Sequence, residues 1–549
     1  MSKAIRPQPT LFPIFMKRFL LPLLLTASLS AQVASDPQNR DLGPPKPGER
    51  APGKPIGAII DAPVADTAPM SRVPEAIIRS DSLVKVNATS QSFSPHIPWQ
   101  KQPPGARRGL GVVLQGRRIL VTGQMVADAT YIELELPESG QKLPAKVVAV
   151  DYEANVALLV ASAIPAKAEE FFSGLKPMAV DTSARIGDAL SIWQTGRVGD
   201  LIVTPMRISK VMTQPYVVET STFLVYEATG IIRSEANSFT LPVVKGGKLA
   251  GLLLRYDSKN QVATLLPAPI IEHFLKDESD GKYEGFPSLG IEIQQTLDEQ
   301  FREYLGMKNG TKGAFISGVS KDASAEKIGV KKGDIILSIN GLAVDSRGDY
   351  QDPQFGALSI SHIVRGRSFV GDKVEMKVLR DGKEETLNGT LLRKQPSDYL
   401  VPPYIFDRGP NYVMMGGLLF QELSQPYLNA FGGDRQSGPV LRLSHIADHP
   451  EEYEKEGRKK LVFLSAVLPT PSVQGYERLG GQVVNKVNGQ SIKDLGDLAD
   501  AFAKPVDGIH TVELRDFPRF LHLDAISVER DNLKLVGGQY RIGSLKRIE

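Results

Sequence analysis

No cysteine occurs in the 549 residues. That excludes disulfides, thiol nucleophiles, cysteine-based metal sites and a lipid-modified N-terminal cysteine, so an exported form of this chain relies on packing alone. Long apolar runs are missing too, and no stretch reaches the ~20 residues that span a bilayer. The longest, "FLLPLLLTASLSA", follows Met16-Lys17-Arg18 and ends in small residues, the layout of a secretory signal. Residues 1–34 are expected to be that signal, which leaves no integral membrane segment after its removal and an exported, periplasmic or secreted protein. Charge of one sign is also lacking: the net is +3 with no dense Lys/Arg stripe, which argues against nucleic acid as a partner. Histidine is scarce, with seven in all. No His/Glu pairing has ligand spacing, so neither metal nor cofactor is expected.

What is present divides into segments, as a chain of this length must. Residues 35–75 are rich in Pro, Gly and charge and poor in apolar periodicity, a linker composition. From residue 76 to about 282, short runs such as "SLVKVNAT", "RRILVTG", "ATYIELEL" and "VALLVAS" alternate with turn residues. Strands this short and frequent predict an all-β sandwich or barrel. "PAPIIEHFLKDES" predicts a closing helix opened by Pro269.

Beyond residue 285 a pattern repeats. "GDIILSINGLAV" (Gly333 to Val344) and "GQVVNKVNGQSI" (Gly481 to Ile492) both place Asn-Gly after a buried strand, a tight-turn signal. A Gly-bearing apolar stretch precedes each copy: "SLGIEI" and "GGLLFQEL". The copies occupy 285–395 and 400–549. The insert "HPEEYEKEGRKK" in the second reads as a solvated surface helix. A glycine opening a strand lets successive backbone N–H groups converge on a carboxylate, and the strand edge can pair with an extended peptide. The candidate donors are the amides of Leu289, Gly290 and Ile291 in the first copy and of Gly417, Leu418 and Leu419 in the second. The bland alternative is that either loop only turns the chain. His362 is a candidate groove residue or a partly exposed bystander.

These stretches resemble PDZ domains, and the second copy resembles the divergent PDZ domain that ends plant-type Deg proteases. The resemblance to the Deg/HtrA family covers residues 76–280 as well. It implies a mainly β fold: a trypsin-like double β-barrel followed by two PDZ-like α/β modules. In "ILVTGQMVADA" the catalytic histidine of the family is replaced by Gln124. In "DYEANVALL" Asn155 stands at the catalytic aspartate, and "ANSFTLP" keeps the nucleophile position, Ser238, without its glycines. The resemblance also implies a homo-oligomer, a trimer or multiple of trimers, with the aromatic segment around Phe93 and Trp99 as candidate contact.

The chemistry of these replacements can be judged directly. A general base must accept the serine proton near neutral pH, which imidazole does and an amide does not. Asn155 carries no charge to stabilise an imidazolium. Loss of the base alone costs about 10⁶ in turnover in a worked triad. The oxyanion-hole positions, Ala236 and Ser238, are followed by bulky Phe239 where the family has glycine. Of the other basic groups, His96 lies far upstream, His273 on the closing helix, and Lys245 is the remaining conceivable base. Asp151 and Glu153 read as turn and surface charges. The expected function is therefore a non-catalytic homologue that binds polypeptides, as adaptor, chaperone or assembly partner. An active serine endopeptidase with an altered base at Ser238 is the alternative. A purely structural oligomer-builder is the third reading.

Overall fold

The computed structural model describes residues 80–549 apart from 197–199, 220, 233–239, 309, 433–437 and 539. The expected signal and linker lie outside the described residues, and so do Ala236, Ser238 and Phe239.

The first barrel closes in the order β1-β2-β3-β6-β5-β4. Its strands are β1 (Leu83–Ser90), β2 (Gly105–Leu114), β3 (Arg118–Val121), β4 (Ala129–Glu135), β5 (Lys142–Asp151) and β6 (Val156–Ala161). Alternation in "LVKVNATS" puts Leu83, Val84, Val86 and Ala88 inside. Gly111, opposite Val84 in β2, allows the barrel to close: a Cβ there would lie 2.3 Å from the Ile119 Cγ2 methyl. The second barrel, in the order β10-β11-β12-β9-β8-β7, comprises β7 (Ala189–Thr195), β8 (Leu201–Pro215), β9 (Thr222–Thr229), β10 (Pro242–Lys245), β11 (Lys248–Asp257) and β12 (Val262–Pro267). The predicted closing helix follows as Ala268–Asp277, with proline in its first turn.

The first repeated module carries β13 (Ile291–Gln294), β14 (Ala314–Val319), β15 (Ile335–Ile339), β16 (Leu342–Ala343), β17 (Asp349–Asp352), β18 (Gly356–Ser359), β19 (Lys373–Arg380) and β20 (Lys383–Thr390). Its sheet runs β13-β14-β15-β19-β20, so β13 is an edge strand. The second module carries β21 (Tyr412–Met415), β22 (Leu418–Glu422), β23 (Val462–Val467), β24 (Gln482–Val487), β25 (Gln490–Ser491), β26 (Ile509–Leu514), β27 (Phe520–Asp524) and β28 (Lys546–Arg547). Its sheet runs β27-β26-β24-β23-β22-β21-β28.

The repeat seen in the sequence is a repeat in space. Asn340 and Gly341 have φ of 49° and 78°, and Asn488 and Gly489 have 49° and 80°. Positive φ at both central residues is the two-residue hairpin turn that Asn-Gly favours. Each asparagine also ties itself to the neighbouring strand. Asn340 exchanges backbone and side-chain bonds with Glu375, and Asn488 does the same with Thr511, all at 2.8–2.9 Å.

Two features depart from the sequence-based expectations. The "HPEEYEKEGRKK" insert forms the helix Glu451–Lys455, but it is anchored: Tyr453 is buried, and buried Arg458 bonds Val484 O at 2.8 Å and Asn485 Oδ1 at 2.8 Å. The lead-in segment between β1 and β2 is packed against this chain's own second module. Trp99 donates to Tyr540 O at 3.0 Å, Gln421 donates to Pro95 O at 2.9 Å, and the Arg547 guanidinium lies 4.3 Å from the Phe93 ring centroid. The second barrel and first module share one continuous core that includes Leu252, Phe274, Phe286, Ile316, Tyr350 and Ile363. The second module has a core of its own around Phe420, Leu464, Leu498 and Phe502.

Candidate functional site

β3 runs into a short helix, α1 (Gly123–Val126), which carries Gln124, the residue expected at the base position. A Cβ on Gly123 would meet Asp151 O at 3.2 Å, so α1 lies tight against the 151–155 turn. Asn155 sits in that turn at φ 51°, a left-handed conformation that asparagine tolerates. Its Oδ1 accepts the Gln124 backbone N–H at 2.8 Å, and only 2% of it is exposed. The Gln124 side chain is exposed. Arg107 secures the other end of α1, donating to Gln124 O at 2.7 Å and Ala127 O at 2.6 Å. The structure thus brings Gln124 and Asn155, the residues expected at the base and acid positions, together through a backbone amide and a carboxamide. Neither is a basic nitrogen.

Thr240, two residues past the nucleophile position, is fully buried. Its Oγ1 lies 2.8 Å from Thr122 Oγ1 and accepts the Thr122 N–H at 3.1 Å. Its carbonyl accepts Leu110 N–H at 3.0 Å. These bonds pin the start of β10 to the first barrel.

The seven histidines are held elsewhere. His96 lies between Tyr427 and Phe431 of the second module, with ring centroids 4.8 and 4.3 Å away. His273 is stacked between Phe286 and Phe369 and bonds Ser368 O at 2.8 Å. His362 is buried beside Phe355 in the first module, not partly exposed on a groove. Burial pushes its imidazole down to about 4, and burial lowers His273 in the same direction. His445 and His449 contact each other with tilted rings, His510 contacts Asn488, and His522 contacts Thr511. Lys245 is committed to Asp188 at 2.6 Å. Among the described residues, no group of three or more His, Asp or Glu side chains converges as a metal site.

Asp151 and Glu153 are not surface charges. Asp151 is 1% exposed; its Oδ2 accepts Tyr283 OH at 2.7 Å and pairs with Arg393 at 3.0 Å, while Oδ1 accepts Ala154 N–H at 2.7 Å. Glu153, also buried, accepts Ser221 Oγ–H at 2.7 Å and pairs with Arg365 at 3.2 Å. Arg365 and Arg393 belong to the first module, so two buried ion pairs join it to the turn that carries Asn155. Sequence inspection missed this network. Its one local signal was a pair of acids two residues apart beside the triad position.

The two glycine loops have different outcomes. Gly290 has φ 68°, and a Cβ there would lie 2.3 Å from Ala323 Cβ. The Ser320–Ala325 segment shapes this loop through Ser320 N–H to Gly290 O at 2.8 Å and Ala325 N–H to Leu289 O at 2.9 Å. The Gly290 amide turns to Ser288 Oγ at 3.3 Å. Leu289 is buried, and Ile291 opens edge strand β13 with half-buried isoleucines alternating with exposed Glu292 and Gln294. In the second module, Gly416 and Gly417 instead turn a hairpin. Leu418 and Leu419 are in register with Met415 and Met414 of β21 on one side and with Val467 and Ala466 of β23 on the other. The edge equivalent to that of β13 is covered by β21 and, beyond it, β28. Leu418 and Leu419 therefore lie on an interior strand of that sheet, with Gly417 in the turn that opens it.

PDZ-domain profiles match residues 287–391 and 401–546. The chain is 25% identical over 424 residues to Protease Do-like 2, chloroplastic, of Arabidopsis thaliana, covering 76% of this chain and 67% of that one. It is 28% identical over 425 residues to Protease Do-like 4, mitochondrial, of the same plant, covering 76% of each. This is a two-PDZ homologue of the Deg/HtrA proteases. The HtrA-type protease AlgW with a decapeptide is similar with a TM-score of 0.43 and 20% identity, over 58% of this chain and 97% of that one. In this Deg/HtrA homologue the modules are PDZ domains and the barrels a trypsin-like protease fold. Among the described residues, no helix is long and apolar enough to cross a membrane.

Proposed function

We propose that this homologue binds polypeptides without hydrolysing them, using the first PDZ domain, and acts as an exported adaptor, chaperone or assembly partner. The observation that carries this reading is Gln124 at the base position, its amide held by Asn155 while every histidine is engaged elsewhere. A serine hydroxyl at position 238 then remains an unactivated alcohol. Incubation with unfolded casein and a serine-directed fluorophosphonate is expected to give neither cleavage nor labelling. Labelling lost in Ser238→Ala would establish the second reading, an altered-base endopeptidase. That reading is favoured by the retained Ser238 and by relatives named as proteases.

Edge strand β13 beside the Gly290 loop supports recognition of a free C-terminus by strand addition. Leu289, Gly290 and Ile291 are the proposed carboxylate site. Peptides with a free C-terminal carboxylate should bind the full chain, and Gly290→Asp should weaken them at least tenfold. In that variant a charged side chain at φ 68° would crowd Ala323 and repel the carboxylate. Equal binding of C-terminally amidated peptides would remove this site from consideration. The pairing of Leu418 and Leu419 with a strand on either side supports an assembly role for the second PDZ domain, within a homo-oligomer.

A further inference from the structure

The histidines differ in exposure as well as in partners. His273, His362 and His510 are buried, and His96 is held between two rings of the second PDZ domain. His522 is exposed on β27, but its neighbour there is Thr511. His445 and His449 are both exposed and lie side by side. His445 stands on the helix Gly438–Asp448 of the second PDZ domain and His449 one residue past its end. The His449 N–H donates to His445 O at 3.0 Å, so the helical turn continues through both. Side chains four residues apart on a helix share one face. Sequence inspection looked for histidine paired with glutamate and passed over this histidine pair.

The geometry suits a chelate. The ring centroids are 4.6 Å apart with the planes tilted by 52°. Two imidazoles whose nitrogens share one ion at ~2.1 Å hold their ring centres about 4.5–5.5 Å apart. The scaffold is fixed, because Leu443 and Ile446 of the same helix are buried in a core with Leu428, Tyr453 and Phe463. Binding therefore has to order little beyond the two rings. His449 Nδ1 faces Glu451 Oε1 at 3.9 Å, which leaves Nε2 for an ion. The carboxylate then lies on the far side of the ring, where an outer partner orients a ligating imidazole.

The surroundings favour a cation. The C-terminal end of a helix carries partial negative charge. Asp448, Glu451 and Glu452 bring carboxylates to the same turn, while Arg442, one turn before His445, is drawn off to Asp516 at 2.8 Å. Imidazole donors select copper, nickel and zinc over magnesium and calcium, which take oxygen.

We propose that His445 and His449 form an exchangeable site for a borderline divalent transition metal, with Glu451 as the positioning residue for His449. It is an open two-imidazole chelate, distinct from a closed centre of three or more protein ligands. An ion held there ties the last turn of one helix to the start of the next, Glu451–Lys455, across the corner at Pro450.

Calorimetric titration of the untagged full chain with nickel chloride tests the site. Wild type should take up one equivalent. His445→Ala and His449→Ala should each weaken that binding at least tenfold, Glu451→Gln should weaken it less, and His522→Ala should leave it unchanged. Equal affinity in wild type and His445→Ala, loss in His522→Ala, or no uptake by wild type would overturn the site. An unchanged affinity in Glu451→Gln would overturn the role of that carboxylate. Nickel should also raise the melting midpoint of wild type but not that of His445→Ala/His449→Ala; an equal rise in the double variant would place the ion elsewhere.

Discussion

Arg393→Ala should destabilise the chain by about 3–5 kcal/mol, the usual cost of stripping one partner from a buried ion pair. The substitution leaves Asp151, 1% exposed, with a full charge and only Tyr283 OH and Ala154 N–H to compensate it. Urea unfolding followed by tryptophan fluorescence reads the loss, since Trp193 is buried in β7 of the barrel that shares its core with the first PDZ domain. Combining Arg393→Ala with Asp151→Asn should recover at least half of it, because a neutral amide has no charge to offset. A single variant within 1 kcal/mol of wild type would mean that the pair does not hold the two domains together.

Acid should loosen the same junction. The His362 imidazole is pushed down to about 4 in the folded chain by burial, with Asp352 and Arg367 as the charges facing it. Its ordinary value, about 6.5, applies after unfolding. A folded value below the unfolded one contributes stability above pH 6.5, and that stability fades as pH falls toward 4. The linkage amounts to about 2 kcal/mol lost by pH 5 and about 3 kcal/mol by pH 4. His273, lowered by burial between its two phenylalanines, adds to the loss in the same direction, against Asp277, Asp151 and Asp372, which oppose it. Melting midpoints of wild type should therefore drop between pH 7.5 and 5, and His362→Gln should flatten that drop. An identical pH profile in the variant would exclude this origin.

Much of the architecture was legible because its signals are local. The Asn-Gly pairs at 340–341 and 488–489 demand positive φ at two successive residues, and few residue types supply it. Alternation in β1 and the glycines that precede β13 and β22 are equally short-range. The chemistry of Gln124 and Asn155 was legible for a different reason: an amide cannot become a base in any environment a fold supplies.

What the sequence determined by itself was composition, the repeat, and amide side chains at Gln124 and Asn155, which offer neither a basic nitrogen nor a carboxylate. Tertiary structure alone decided which charges are buried, which sheet edge is open and what the aromatic lead-in touches. Glu153 meets Arg365 across 212 residues of chain, and Gln421 meets Pro95 across 326. No local pattern encodes such partners, because a carboxylate in a turn looks the same whether water or a guanidinium waits beside it. The two glycine loops teach the same lesson. Both read alike as sequence, yet β22 is covered by the chain's own β21 while β13 remains at the edge, since strand order is set by packing of the whole sheet.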